Sequence, residues 1–107
     1  MYSFIITKKA DDDFVKIVNY ISNELKNIKA ADDLSKKIVS SIRDLCIFPN
    51  SAPLVINEYF LKKDFRKKVV DNYLILYYLD ESKQSIVIVR IIYAKMNLNE
   101  IIKMIDI

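Results

Sequence analysis

The sequence predicts an α+β domain: a short N-terminal strand, an antiparallel helical hairpin, a three-stranded antiparallel meander and a short C-terminal helix. Three observations carry that reading. Apolar residues recur with helical spacing twice in the first half of the chain. Beyond residue 64 the period drops to two or to unbroken apolar runs. Helical and strand segments are segregated rather than alternating, the order expected when helices pack on one face of an antiparallel sheet. At 107 residues the chain makes one domain, residues 1–107.

Residues 2–7 read as a strand, with Tyr2, Phe4 and Ile6 alternating. Asp11, Asp12 and Asp13 stand where a helix would begin, and carboxylates suit the positive end of its dipole. Consecutive helical residues point about 100° apart, so the three are not expected to converge on a metal. Ala10, Phe14, Ile17, Val18, Ile21 and Leu25 form one stripe on this first helix. Asn27 suits the cap of a second helix, whose stripe is Ile28, Ala31, Leu34, Ile38, Ile42 and Leu45. Phe48-Pro49 ends it, because proline disfavours helical geometry in the residue before it.

Residues 49–60 are irregular and hold both prolines. Three strands follow over 65–70, 73–79 and 85–95. Asp71-Asn72 supplies the first turn with residues that tolerate positive φ where glycine is absent. The central strands are apolar at nearly every position, so both faces are expected to be covered or one to serve as an interface. Residues 97–106 fit a short helix carrying Leu98, Ile101, Ile102 and Ile105.

Composition removes whole classes of chemistry. With no histidine, imidazole bases, histidine–metal sites and Ser-His-Asp triads are excluded. With Cys46 alone there is neither an intrachain disulfide nor a cysteine-based zinc site, and Cys46 reads as a buried small hydrophobe. With no glycine, phosphate-cradling loops cannot form. No cofactor and no metal are expected. No apolar run approaches a membrane span, and the first residues lack the basic start of a signal peptide, so the expected location is the cytoplasm.

Charge is uneven. Lys62, Lys63, Arg66, Lys67 and Lys68 against Asp64 give +4 over residues 62–68, and taking that from the chain's +3 leaves −1 elsewhere. With Arg90 and Lys95 these cations are candidates for a target-binding patch suited to phosphates or an acidic peptide. Aromatic residues lie near them: Phe60, Phe65, Tyr73, Tyr77, Tyr78 and Tyr93. The competing reading is an edge strand protected from aggregation by lysines, with Phe65 and Tyr77 in the core.

Taken together, the short first strand, Ile17-Val18-Asn19-Tyr20-Ile21, Ile42-Arg43-Asp44-Leu45 before Phe48-Pro49, Phe65-Arg66-Lys67-Lys68-Val69-Val70, Asn72-Tyr73-Leu74-Ile75-Leu76-Tyr77 and Ile88-Val89-Arg90-Ile91-Ile92-Tyr93-Ala94-Lys95 give a familiar order. In these segments the chain resembles the RelE/ParE superfamily of toxins from type II toxin–antitoxin modules. The resemblance implies a cognate antitoxin partner. Its targets divide: ParE-like members poison DNA gyrase, whereas RelE-like members cut mRNA on the ribosome without a metal. For a ribonuclease it implies catalytic roles for Arg66, Lys68, Lys95 and Tyr93. Against that, Leu74 stands where ribonucleases often carry arginine, Lys95 near the place of a late arginine, and Ile101 and Ile102 in the tail where an acid or base is expected. The expectation is therefore a ParE-like gyrase poison. A RelE-like ribonuclease is the alternative, and a non-toxic binding module is the third reading.

Overall fold

The computed structural model describes residues 1–55 and 64–105. The elements follow the predicted order: β1 (Ser3–Ile6), α1 (Lys8–Asn19), α2 (Ile28–Ile47), β2 (Phe65–Val70), β3 (Tyr73–Asp80), β4 (Ser85–Tyr93) and α3 (Leu98–Lys103). The four strands form one sheet in the order β1-β4-β3-β2. β2, β3 and β4 are the antiparallel meander. β1 joins it in parallel with β4, pairing Ser3 with Ser85 and Ile6 with Ile88.

α1 starts earlier than the aspartates suggest. Thr7 is its N-cap, and the Thr7 hydroxyl accepts the Ala10 N–H at 3.2 Å. Asp11 alone of the three acids lies in the first turn; Asp12 pairs with Lys8 one turn back, and Asp13 is buried. The dipole reading thus holds for Asp11 and fails for Asp13, whose partner lies on the sheet. α1 runs into a π-helical turn, Tyr20–Glu24, before the chain reverses at Lys26. Asn27 caps α2, its side-chain oxygen accepting the Ala30 N–H at 3.0 Å.

The α2 stripe packs as its spacing predicts from Ala31 to Leu45, but Ile28 at its start is exposed. α1 and α2 cover one face of the sheet, over Ile75, Tyr77, Ile88 and Ile91. α3 covers the other, setting Ile101 and Ile102 against Leu74, Leu76 and Val89. Cover on both faces is why the middle of β3 is buried at four consecutive positions.

The ladder between β3 and β4 is irregular at one place. Leu76 pairs with Arg90 while the next residue, Tyr77, pairs with Ile88, so Val89 is the extra residue of a β-bulge. A bulge frees backbone groups from the ladder, and here α1 meets them. The Thr7 hydroxyl donates to the Val89 carbonyl at 3.3 Å, and Asp13 Oδ2 accepts the Ile91 N–H at 3.0 Å. Arg90 closes the arrangement, its Nε donating to Asp13 Oδ2 at 2.7 Å and its Nη2 to Oδ1 at 3.1 Å. Both side chains are largely buried, and a two-pronged contact of this kind is among the stronger ion pairs.

Candidate functional site

The cations singled out in the sequence divide into three groups. Lys62 and Lys63, with Phe60, lie outside the described residues. Arg66 and Arg90 are engaged inside the fold. Lys67, Lys68 and Lys95 have no acidic partner among the described residues.

Arg66 lies on the edge strand β2, opposite Tyr77. Its Nη1 donates to the carbonyls of Asn50 at 3.1 Å and Ala52 at 2.8 Å. The Tyr77 hydroxyl donates to the Pro49 carbonyl at 2.9 Å. The Lys67 N–H donates to Pro53, and the Val55 N–H to Phe65. The segment that leaves α2 is thereby fastened along the outer edge of β2. Burial pushes the Tyr77 phenol upward, outweighing the opposing pull of an Ala52 backbone hydrogen bond and the Arg66 charge.

Strand alternation separates the other cations. Lys68 lies opposite Ile75, with Arg66 on the side of the helical hairpin, and Lys67 lies opposite Leu76 on the side of α3. Lys95 follows β4 in the turn at the far end, where the Ala94 N–H donates to Asn72. Tyr93, half exposed, sets its ring against Tyr73 at 5.8 Å, edge to face. Burial raises the Tyr73 phenol, with smaller contributions from Tyr93 and Tyr20. Phe65 and Tyr77 are fully buried, as core residues should be.

A second surface was not legible as a site in the sequence. Phe4 and Ile6 point to the hairpin side of the sheet, opposite Ile86 and Ile88, yet remain exposed at 51% and 36%. Between β1 and α2 an open apolar groove of about 260 Å³ is lined by Phe4, Ile6, Phe14, Val39 and Ile42, with Asp11 and Arg43 also on its walls. It continues past Arg43 toward Met1, Tyr2 and Ile47. Alternation marked Phe4 and Ile6 as apolar-facing, but nothing local reveals that the helical layer leaves them open.

Cys46 is buried at the end of α2, and desolvation raises its thiol pKa, so it is a packing residue rather than a nucleophile. Among the described residues no three His, Cys, Asp or Glu side chains are grouped to hold a metal, and no helix is long and apolar enough to cross a membrane.

Comparison with known proteins adds the following. Residues 4–98 match the family described as the ParE toxin of the type II toxin–antitoxin system parDE. Among solved structures, the archaeal RelE–RelB complex from Pyrococcus horikoshii OT3 aligns with a TM-score of 0.56 at 12% identity, covering 90% of this chain and 98% of that one. The toxin–antitoxin complex RelBE2 from Mycobacterium tuberculosis aligns at 0.47 and 18% identity, covering 86% and 96%. No curated protein matches the sequence.

Proposed function

The chain belongs to the ParE toxin family of type II toxin–antitoxin systems, and from that premise we propose that it stops growth in the cytoplasm by gripping DNA gyrase, without chemistry of its own, until a cognate antitoxin sequesters it. The observation that carries this choice over mRNA cleavage is the burial of Leu74. It stands where the ribonuclease pattern prefers arginine, and it is packed with Ile101 and Ile102 of α3. That side of the sheet is filled with hydrocarbon, where a ribonuclease needs cations around a scissile phosphate.

The side chains named for catalysis are also dispersed. Arg66 holds backbone carbonyls beside the middle of β3, Lys68 stands mid-strand, and Tyr93 and Lys95 lie at the end of the sheet where Val70 pairs with Tyr73. Without a placed acid or base, a rate factor of roughly 10²–10⁴ is lost. Of the cations the sequence singles out, Lys67, Lys68 and Lys95 are described and left to meet a target, with Lys62 and Lys63 as further candidates.

Induced expression tests the reading. Filamentation and an SOS response with intact mRNA are expected, together with inhibition of purified gyrase by the isolated chain. Replacing Lys67, Lys68 and Lys95 with alanine should relieve toxicity while leaving the fold intact. Rapid mRNA cleavage in the ribosomal A site, with gyrase unaffected, would transfer the chain to the RelE-like alternative. Normal growth during expression of soluble, folded chain would leave only a non-toxic binding module.

A further inference from the structure

Two tyrosines are not absorbed by the core. Tyr93 ends β4 with 40% of its surface exposed, and Tyr20 opens the π-helical turn after α1 with 53% exposed. Tyr73, the first residue of β3, pairs with Tyr93 and packs at the border of the hairpin-side core. The Tyr73 and Tyr93 rings meet edge to face, their centroids 5.8 Å apart. Burial is the main cause that raises the Tyr73 phenol, and the charges of Tyr93 and Tyr20 add to it, so the three hydroxyls share one neighbourhood. Closing the core takes Tyr73, while Tyr20 and Tyr93 leave ring surface in water beside it.

The charge around this cluster is net positive. Lys16 lies one helical turn before Tyr20, on the same side of α1. Lys95 follows Tyr93 by two residues, in a turn that the Met96 N–H closes onto the Tyr93 carbonyl at 3.0 Å. Both lysines are exposed and have no acidic partner among the described residues. Two acids at this end of the fold are already engaged: Lys37 Nζ holds Asp71 at 3.1 Å, and Arg90 holds Asp13. Glu24, later in the turn that Tyr20 opens, offsets one of the two lysines at most.

We propose that Tyr20, Tyr73 and Tyr93 form a stacking platform for an unpaired base of single-stranded DNA, with Lys16 and Lys95 on the phosphates that flank it. Rings set beside free cations suit a single strand, because every base has a face to stack and every linkage a charge to neutralise. The same lysines turn away the other ligand of aromatic clusters, a lysine or arginine of a partner protein. A duplex is disfavoured as well, since its bases already stack on one another. The choice of DNA over RNA rests on the reading that the chain acts on gyrase, an enzyme whose substrate is DNA; the platform itself rests on the rings and charges. It lies at the end of the sheet where Val70 pairs with Tyr73, and it shares no residue with the groove beside β1.

The test is binding of a dye-labelled oligothymidine to the isolated chain, followed by anisotropy and by tyrosine fluorescence. The chain has no tryptophan, so stacking of a base is read directly as tyrosine quenching. Tyr20→Ala and Tyr93→Ala are each expected to weaken binding about tenfold with the circular dichroism of the fold intact, whereas Tyr93→Phe, which keeps the ring, keeps both affinity and quenching. Lys16→Gln combined with Lys95→Gln should make the log–log salt dependence shallower by about 1.4. Absence of binding, or alanine variants that bind as tightly as the parent chain, would overturn the proposal. Preference for an oligouridine RNA or for duplex DNA over the oligothymidine would overturn it too. Gyrase inhibition is measured on the same preparation. A chain that inhibits gyrase yet ignores the oligonucleotide sinks the proposal and leaves the gyrase reading standing. A chain that binds the oligothymidine through these rings and leaves gyrase untouched keeps the platform and sinks the gyrase reading instead.

Discussion

Asp13 is where local reasoning about this chain stops. Beside Asp11 and Asp12 it looks like one of three interchangeable acids at a helix start, and only Asp11 fills that role. Its partner Arg90 is 77 residues away, and its charge alone points to a target-binding cation. Neither assignment was legible, because an ion pair across the fold leaves no periodic trace in the sequence. Burial and geometry fix its importance. With the side chains only 15% and 10% exposed, removing one partner strands a charge away from water. Arg90→Met is expected to cost about 3 kcal/mol in urea unfolding. Asp13→Asn combined with Arg90→Met should cost less than the two single changes added together, since neither then abandons a charge. Strict additivity of the two would show that the pair is not coupled.

At the scale of elements, most of the architecture was readable. The α2 stripe, the Asn27 cap, the Phe48-Pro49 stop and the strands of the meander follow from spacing and turn chemistry. What escaped was the start of α1, the π-helical turn after it, and the parallel docking of β1 beside β4. Tertiary contacts settle the first and the last: Thr7 caps α1 while also serving the bulge, and β1 finds its neighbour across some eighty residues of sequence. The turns expose a further cost. Lys26, Asp71 and Gln84 adopt φ of 51°, 53° and 49°, the region glycine occupies freely, in a chain that has none. An aspartate tolerates this conformation better than a lysine does. Lys26→Gly is therefore expected to raise stability by about 0.5–1 kcal/mol, read from the urea midpoint. A fall in the midpoint would mean that Lys26 makes a compensating contact.

For the whole molecule, the α+β class and the family resemblance were legible, and the division of charge between structural and available cations was not. Arg66 and Arg90 look like Lys67 and Lys95 in the sequence, yet only the first two are spent on the fold. The missing histidine has a global consequence as well. No side chain has its ordinary titration between about pH 5 and 8, so stability should be nearly flat there. Burial raises the Tyr77 and Tyr73 phenols above their ordinary 10.0 in the folded state. Their contribution is fully present below that pH and is lost as pH climbs through the raised folded values. Thermal unfolding across pH 7–11 should show a plateau followed by an alkaline decline. Tyr77→Phe should soften the decline while costing about 1 kcal/mol at neutral pH for the lost bond to Pro49. A decline identical in Tyr77→Phe would assign the alkaline loss to other groups.

The extra residue in β4 also acts as a registration mark. A strand of nearly uniform aliphatic side chains could slide by one position along its neighbours with little change in what it buries. The kink at Val89 forbids that slide, because any other alignment would pull Arg90 from its carboxylate and leave the Ile91 amide unanswered. One irregular step therefore indexes the central strand against a helix laid down eighty residues earlier, and a folding chain that misaligns its sheet would be unable to seat α1.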